Sequence, residues 1–497
     1  MQSLVKPVIS LSFRFLSIVA IFSPFIFFSC NSEKSDALPN IIIIFTDDQG
    51  YGDVGSYGAT GFETPNIDKM ASEGMRFTSF YSAQAVCSAS RAGLLTGCYP
   101  NRIGITGALM PYSKIGIAPG EMTIAELLKQ KGYRTAIFGK WHLGYQEQFL
   151  PLQHGFDEYT GLPYSNDMWP VDFDGTAITP GSPREDKLKY PPLPLVEGNI
   201  TIDTIATLSD QDRLTLLYTS KAVDFITRNR NNPFFLYVPH SMPHVPLGVS
   251  PAFRGKSEQG LYGDVMMEID WSVGEILKAV EENGLTGNTL VIFATDNGPW
   301  LNFGNHAGST AGLREGKGTS FEGGQRVPCI IKWPGVIPEG EITNRMATTL
   351  DIMPTIAHIT GTTLPEHRID GINIISILKG EGDANPREDF LYYYGRNNLE
   401  AVRSGDFKLV FPHHHRSYEG VMPGNDGWPG AYRDDYIDAP ELYDLRRDPG
   451  ERYNVIEIYP HIAEKLEQIA INARADLGDD LTGVTGTGTR EPGRSEK

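Results

Sequence analysis

The chain has 497 residues, 40% of them apolar and 21% charged, with 24 Phe and 22 Tyr. That is ample material for more than one core and excludes wholesale disorder. The formal charge of −18 excludes nucleic acid as a bulk partner, because counterion-release binding needs a basic surface; a basic pocket within an acidic body stays open.

Residues 1–29 have the form of an export signal. Lys6 and Arg14 supply positive charge, and Leu16–Phe28 is an apolar run of 13 positions broken by Ser17, Ser23 and Pro24. It is too short and too interrupted to span a bilayer, and it suits a signal h-region. Ser29-Cys30 followed by a polar stretch resembles a bacterial lipoprotein cleavage box. Two outcomes stand: a lipid anchor at Cys30, or plain secretion after a different cut. Membrane contact is expected only through that anchor, and the location is exported, either periplasm or cell surface. The other cysteines are Cys87, Cys98 and Cys329, too few for a disulfide scaffold. Cys98 and Cys329 are either two buried thiols or one bridge.

From Asn40 onward, short β-branched runs alternate with helical patterns. Ile41–Phe45, Arg134–Phe138, Phe234–Val238 and Leu290–Thr295 are continuous apolar runs, suited to strands buried on both faces. Helices are expected from Thr64-Pro65, from Thr123, over Asp210–Arg228, along Val265–Val280 at helical spacing, and over Asp351–Ile359. The alternation predicts an α/β sandwich around a large, mostly parallel or mixed sheet. After about Gly380 the pattern changes. Phe390–Tyr394, Ala401–Phe411 (folding back at Ser404-Gly405-Asp406) and Leu442–Leu445 are strand-like, and His461–Ala473 is helical. The expected organisation is a signal over 1–29, an N-terminal catalytic domain over 30–385, and a smaller α+β domain with an antiparallel sheet over 386–497. The Gly- and Thr-rich tail from Thr482 is expected to fray.

In open α/β sheets, ligands bind beyond the carboxyl ends of the strands. Two such ends carry acids: Ile41–Phe45 runs into Thr46-Asp47-Asp48, and Leu290–Thr295 runs into Asp296-Asn297-Gly298. These residue types also make ordinary turns after strands. Three carboxylates and an amide oxygen make a hard cage for Ca²⁺ or Mg²⁺, and adjacent like charges are costly without a cation. Cys87 opens a short helical stretch, Ser88–Thr96, closed by Gly97. There a helix N-terminus would favour an anion and a lowered thiol pKa, with Arg91 one turn on. The competing reading is a buried thiol beside a surface arginine.

Cys87-Ser88-Ala89-Ser90-Arg91 followed by Ala92-Gly93-Leu94-Leu95-Thr96-Gly97 resembles the modification signature of the formylglycine-dependent (type I) sulfatases. Gly139-Lys140-Trp141-His142-Leu143-Gly144 resembles their second motif. Thr46-Asp47-Asp48, Thr295–Gly298 and Gly316–Gly324 fit the same family in order, and Pro163-Tyr164-Ser165 with Pro243-His244 are similar to its arylsulfatase A-like members. The resemblance implies an alkaline phosphatase-like fold and a Cys87 oxidised to Cα-formylglycine by a maturation enzyme. It implies one Ca²⁺ held by Asp47, Asp48, Asp296 and Asn297 against the modified Cys87. Arg91 and Lys140 would bind the formylglycine oxygens, and His142 would be the base. His244 and Lys317 would contact sulfate and the bridging oxygen, with Ser165 donating a further hydrogen bond. Ala89 stands where many relatives have Pro, and Cys98 where many have a base.

The implied substrate is a sulfate ester, and an anchored, exported hydrolase suits a sulfated carbohydrate. Asn166, Asp167, Trp169, His413–His415 and Arg416 are candidate rim residues. His240 competes with His244, and the three successive histidines are taken as a rim loop rather than a metal tract. The rivals are a phosphate or phosphonate monoester hydrolase of the same fold and a non-catalytic glycan-binding lipoprotein.

Overall fold

The strand Asn40–Thr46 is buried at every position. Ile41, Ile43 and Phe45 enter one apolar core while Ile42 and Ile44 enter another. This follows from the two-residue period of a strand covered on both faces. The computed structural model of the chain describes residues 7–9 and 38–495; most of the export signal, together with Cys30, lies outside the described residues.

Eleven strands form the main sheet among the described residues. Their order is Glu341–Thr343, Met75–Tyr81, Arg326–Lys332, Thr289–Thr295, Asn40–Thr46, Phe234–Pro239, Arg134–Phe138, Glu158–Gly161, Leu193–Glu197 and Ile200–Ile205, with Ala347–Thr348 beside Met75–Tyr81. The four central strands from Thr289–Thr295 to Arg134–Phe138 are mutually parallel. Arg326–Lys332 runs antiparallel to both neighbours, and the far edge ends in an antiparallel hairpin. The sheet is therefore mixed, with a parallel centre. Leu214–Arg228 and Gly260–Glu282 bury their apolar stripes on one face, and Cys87–Thr96, Ile124–Lys129 and Ile352–Thr360 cover the other. Thr123 caps Ile124–Lys129 through a reciprocal box with Glu126.

The C-terminal strands Asp389–Tyr394, Asn398–Ser404, Phe407–Val410 and Glu441–Asp444 make a four-stranded antiparallel sheet. The helix Pro460–Leu477 packs on it through Leu466, Ala470 and Leu477. From Leu38 onward the described chain is one compact unit that includes this sheet.

Three expectations change, and one open alternative is decided. Asp210–Arg228 is two helices, Leu208–Gln211 and Leu214–Arg228, because Thr207 and Asp210 form their own capping box. The tail from Thr482 does not fray: Gly493–Arg494 pairs with Ile115–Gly116, and Arg490 is fixed by both carboxylate oxygens of Glu121 at 2.6 and 2.8 Å. His413–His415 is no loop but part of the strand His413–Ser417, paired with Arg433–Ile437. Cys98 and Cys329 form no bridge and are free buried thiols.

Candidate active site

Sheet register brings the acids together. Thr46 is level with Thr295, so Asp47 and Asp296 leave adjacent parallel strands side by side. On the other flank Phe45 is level with Pro239, the strand end that leads to His244, and Lys140 N donates to Pro239 O at 2.7 Å. Four neighbouring strands thus deliver Asp47-Asp48, Asp296-Asn297, His240–His244 and Gly139–His142 to one end of the sheet. Asp48 (φ 61°) and His142 (φ 62°) adopt left-handed backbone uncommon for side-chain-bearing residues.

The helix Cys87–Thr96 is buried along its whole length. Its small side chains allow this: a Cβ on Gly93 would stand 2.5 Å from Ala83 Cβ. Gly97, at φ 68°, closes it. Arg91, one turn beyond Cys87, donates to Asp296 Oδ2 from Nε (3.2 Å) and Nη2 (2.8 Å) and lies 3.3 Å from Asp47 Oδ2. It is a buried arginine, not the surface one that the competing reading required. Burial pushes the Cys87 thiol up, and Lys140 and Lys317 only partly oppose it. The expected lowered thiol pKa is therefore wrong: at 2% exposure, desolvation outweighs the nearby cations.

Lys140 Nζ donates to Asp47 Oδ2 at 2.5 Å and to Ser165 Oγ at 3.0 Å. Lys317 Nζ donates to Asp48 Oδ2 at 2.7 Å. Asn297 Nδ2 donates to Asp48 Oδ1 at 2.7 Å, and Asp48 N to Asp296 Oδ1 at 3.1 Å. Burial alone would raise Asp47, but Lys140 and Arg91 outweigh it and hold the carboxyl well below the ordinary range. Asp296 is pushed up, first by burial and then by the neighbouring Asp47 charge.

The two histidines present opposite nitrogens. His142 Nε2 is 2.9 Å from Leu109 O, so it carries the proton, and Nδ1 is buried without a partner. Burial, then Lys140 and Arg91, hold His142 well below the usual histidine range. His244 Nδ1 donates to Val245 O at 2.6 Å, which turns Nε2 toward Asp48 Oδ2 at 3.5 Å. Burial, then Lys317, lower its pKa as well.

Asp47, Asp48 and His244 offer ligand atoms within 4.8 Å of one another, a buried group that can hold a metal ion. The donor set fits a cation on independent grounds. Asp47 Oδ1 and Asn297 Oδ1 are buried with no hydrogen-bond partner, and a neutral His244 lone pair faces a carboxylate. His244 was expected on sulfate, so its approach to the acid pair is an addition to the foreseen ligand set.

Of the rim candidates, Trp169 is core (0% exposed), and Asn166 is buried, donating to Gln211 Oε1, His244 O and Pro246 O. It braces the His244 loop. His413 is buried 3.4 Å from Glu400, and His415 packs on Phe321. His240 is 3.3 Å from Ser272 Oγ, and among the described residues no hydrogen bond or ion pair joins it to the acid cluster. Asp167 does join the cluster: burial opposes its ionisation, but the nearby His244 and Lys317 lower its pKa, and its Oδ1 is unpartnered. Trp300 was missed. Its ring lies 4.5 Å from Lys317 Nζ and 5.7 Å from the His244 ring, a placement no local pattern encodes. Surface cavities of about 520 and 600 Å³ share no lining residue with this cluster.

Residues 39–362 match the family Sulfatase, and 386–485 match the C-terminal region of aryl-sulfatase. Arylsulfatase A of Bos taurus is 38% identical over 455 residues, 87% of either chain. N-acetylgalactosamine-6-sulfatase of Homo sapiens is 37% identical over 451 residues, 87% of this chain and 84% of that one. The PsFucS1 sulfatase from Pseudoalteromonas sp. superposes with a TM-score of 0.79 at 29% identity, covering 88% of this chain and 90% of its own. With its parallel-centred sheet, its buried cysteine helix and the acids beside it, this chain belongs to the sulfatase family.

Proposed function

We propose that the protein hydrolyses sulfate monoesters of sugars, using Cys87 converted to Cα-formylglycine and one Ca²⁺ held by Asp47, Asp48, Asp296 and Asn297. The observation that carries the reading is the convergence of Cys87, Arg91, Lys140, His142 and Lys317 on the acids at one sheet end. Four carboxylates, Asp47, Asp48, Asp296 and Asp167, face three buried cations, Arg91, Lys140 and Lys317. A divalent ion added to that set would turn its charge positive for an anionic ester and supply Lewis-acid stabilisation. The hydrated aldehyde supplies two hydroxyls on one carbon, one to attack sulfur and one whose deprotonation releases sulfate.

Arg91 and Lys140 orient the modified side chain. His142, neutral and with Nδ1 unpartnered, takes up the proton. Ser165, already bonded to Lys140, donates to the ester. Departure of a sugar alkoxide needs a proton. Lys317, kept charged by Asp48 against the opposing effect of burial, or His244 beside it donates the proton, and both contact the sulfate. Residues 30–385 form the catalytic part and 386–497 the smaller domain. Export followed by lipid anchoring at Cys30, and oxidation by a formylglycine-generating enzyme, complete the reading. The relatives' action on sulfated N-acetylgalactosamine supports a glycan substrate.

The test is mass analysis of the Cys87 peptide after co-expression with a competent maturation enzyme, with parallel turnover of a sulfate ester and its phosphate analogue. Aldehyde and sulfate turnover are expected. An intact thiol would favour a glycan-binding protein, and faster phosphate turnover a phosphomonoesterase.

A further inference from the structure

Arg416 lies on the strand His413–Ser417, half-buried, and among the described residues no carboxylate is within ion-pair distance of it. Its cross-strand neighbour Asp434 is engaged instead by His414 Nδ1 at 3.0 Å, and Asp435 by Arg433 at 2.8 Å. Three phenols surround the guanidinium. It sits 4.3 Å above the Tyr432 ring and donates from Nη1 to Tyr418 Oη at 3.3 Å, with Tyr394 nearby. An arginine presents five donors in a planar fork, and a partly buried one without a counter-charge is costly.

Its location gives the unused donors a use. Nη1 is 3.1 Å from where a Cβ on Gly318 would be, and Tyr394 Oη is equally close to that point. Gly318 (φ 83°) follows Lys317, whose carbonyl accepts from Tyr418 Oη at 2.7 Å. Tyr394 also packs on Val86, Cys87 and Ala89. The path from the Cys87 helix through Tyr394 and Gly318 thus ends on a guanidinium with unused donors, against the residue that follows Lys317. Adding side-chain bulk at Gly318 would fill the gap between them.

We propose that Arg416 forms a second anion subsite, so that the preferred substrate carries, besides the ester being cleaved, another anionic oxygen group, either a second sulfate or a carboxylate. The inference rests on the sulfatase reading above and deepens it. A guanidinium fork matches the paired oxygens of either group, the Tyr432 face leaves it little freedom to lose on binding, and the acidic surface makes one local cation selective. The cleavage centre binds the first anion through Lys317, and Arg416 binds the second through its unused N–H groups.

The test compares kcat/KM for matched pairs: a monosulfated hexosamine against its disulfate, and a monosulfated disaccharide with a neutral neighbour against one with a hexuronate neighbour. The wild-type protein should prefer a doubly anionic member at least tenfold, and the pair showing the preference tells sulfate from carboxylate. In Arg416→Gln the preference ratio should fall about tenfold, equivalent to about 1.4 kcal/mol. In Arg416→Lys, which keeps charge but loses the fork, it should fall partway. Equal kcat/KM across both wild-type pairs, or an unchanged ratio in Arg416→Gln, overturns the subsite while leaving the sulfatase reading intact. No turnover of any sulfated sugar or of an aryl sulfate by aldehyde-bearing protein overturns that reading itself. If Arg416→Gln unfolds, the Arg416→Lys ratio and the loss of wild-type preference with rising salt decide.

Discussion

Lys408 offers a demanding test of how the C-terminal sheet supports the site. Its side chain is fully buried. Nζ donates to Ser320 O at 2.7 Å, in the loop that bears Lys317. Glu322 Oε1 is 3.4 Å away, and Glu451 Oε1 lies at 2.7 Å as a charge contact outside hydrogen-bond geometry. Glu322 has other donors, Tyr81 at 2.6 Å and Tyr392 at 2.7 Å. Glu451 Oε1 has none. Lys408→Met keeps most of the stem and strands the Glu451 charge in the interior. Breaking a buried pair in this way costs about 3–5 kcal/mol. The sign with pH follows from Glu451, whose carboxyl burial already pushes above its ordinary 4.5, with Lys408 as the main opposing influence. Without Lys408 the rise grows. A group raised in the folded state removes stability above its unfolded pKa, so the deficit should be largest near pH 8 and shrink toward pH 5. Urea unfolding of both proteins at the two pH values measures it, and Lys408→Met/Glu451→Gln should recover most of the loss. A deficit below about 1 kcal/mol, or one indifferent to pH, would refute the argument.

Cys87→Ala should abolish sulfate-ester turnover with an unchanged far-ultraviolet circular dichroism spectrum; substantial residual turnover counts against covalent catalysis. Chelation should lower both activity and unfolding temperature, because Asp47 and Asp48 lose a shared counter-ion, and added Ca²⁺ should restore both; a metal-free protein with full activity would remove the cation from the account. Burial pushes Glu400 up to about 8. Its ionisation therefore subtracts stability as pH rises from 4.5 through 8, so Glu400→Gln should unfold at higher urea than wild type at pH 8.5 and match it near pH 5. A Gln variant less stable at both values would contradict this.

Much of the molecule is legible from local pattern. The run Ile41–Phe45 announces a strand buried on both sides, and Thr123 with Glu126 announces a helix start, because neighbouring residues suffice to determine both. The site's membership is legible for a different reason: each strand end carries its own acid or base within a few residues of the last β-branched position. The spacing of Cys87 and Arg91 then gives one helical turn.

Long-range contacts decided the rest. That Asp47 and Asp296 stand together depends on Thr46 pairing with Thr295, 249 positions away. Desolvation, not the helix N-terminus, governs the Cys87 thiol, and burial depends on what packs over it. The tail orders because Arg490 finds Glu121, 369 positions earlier, and the three histidines become a strand because Arg433–Ile437 lies alongside. Local propensity is a property of adjacent residues, whereas charge balance and burial belong to neighbours in space. The chain alone therefore specified which groups could react, and the folded sheet decided which of them meet, which are neutralised, and that Arg416 is left with an open hand.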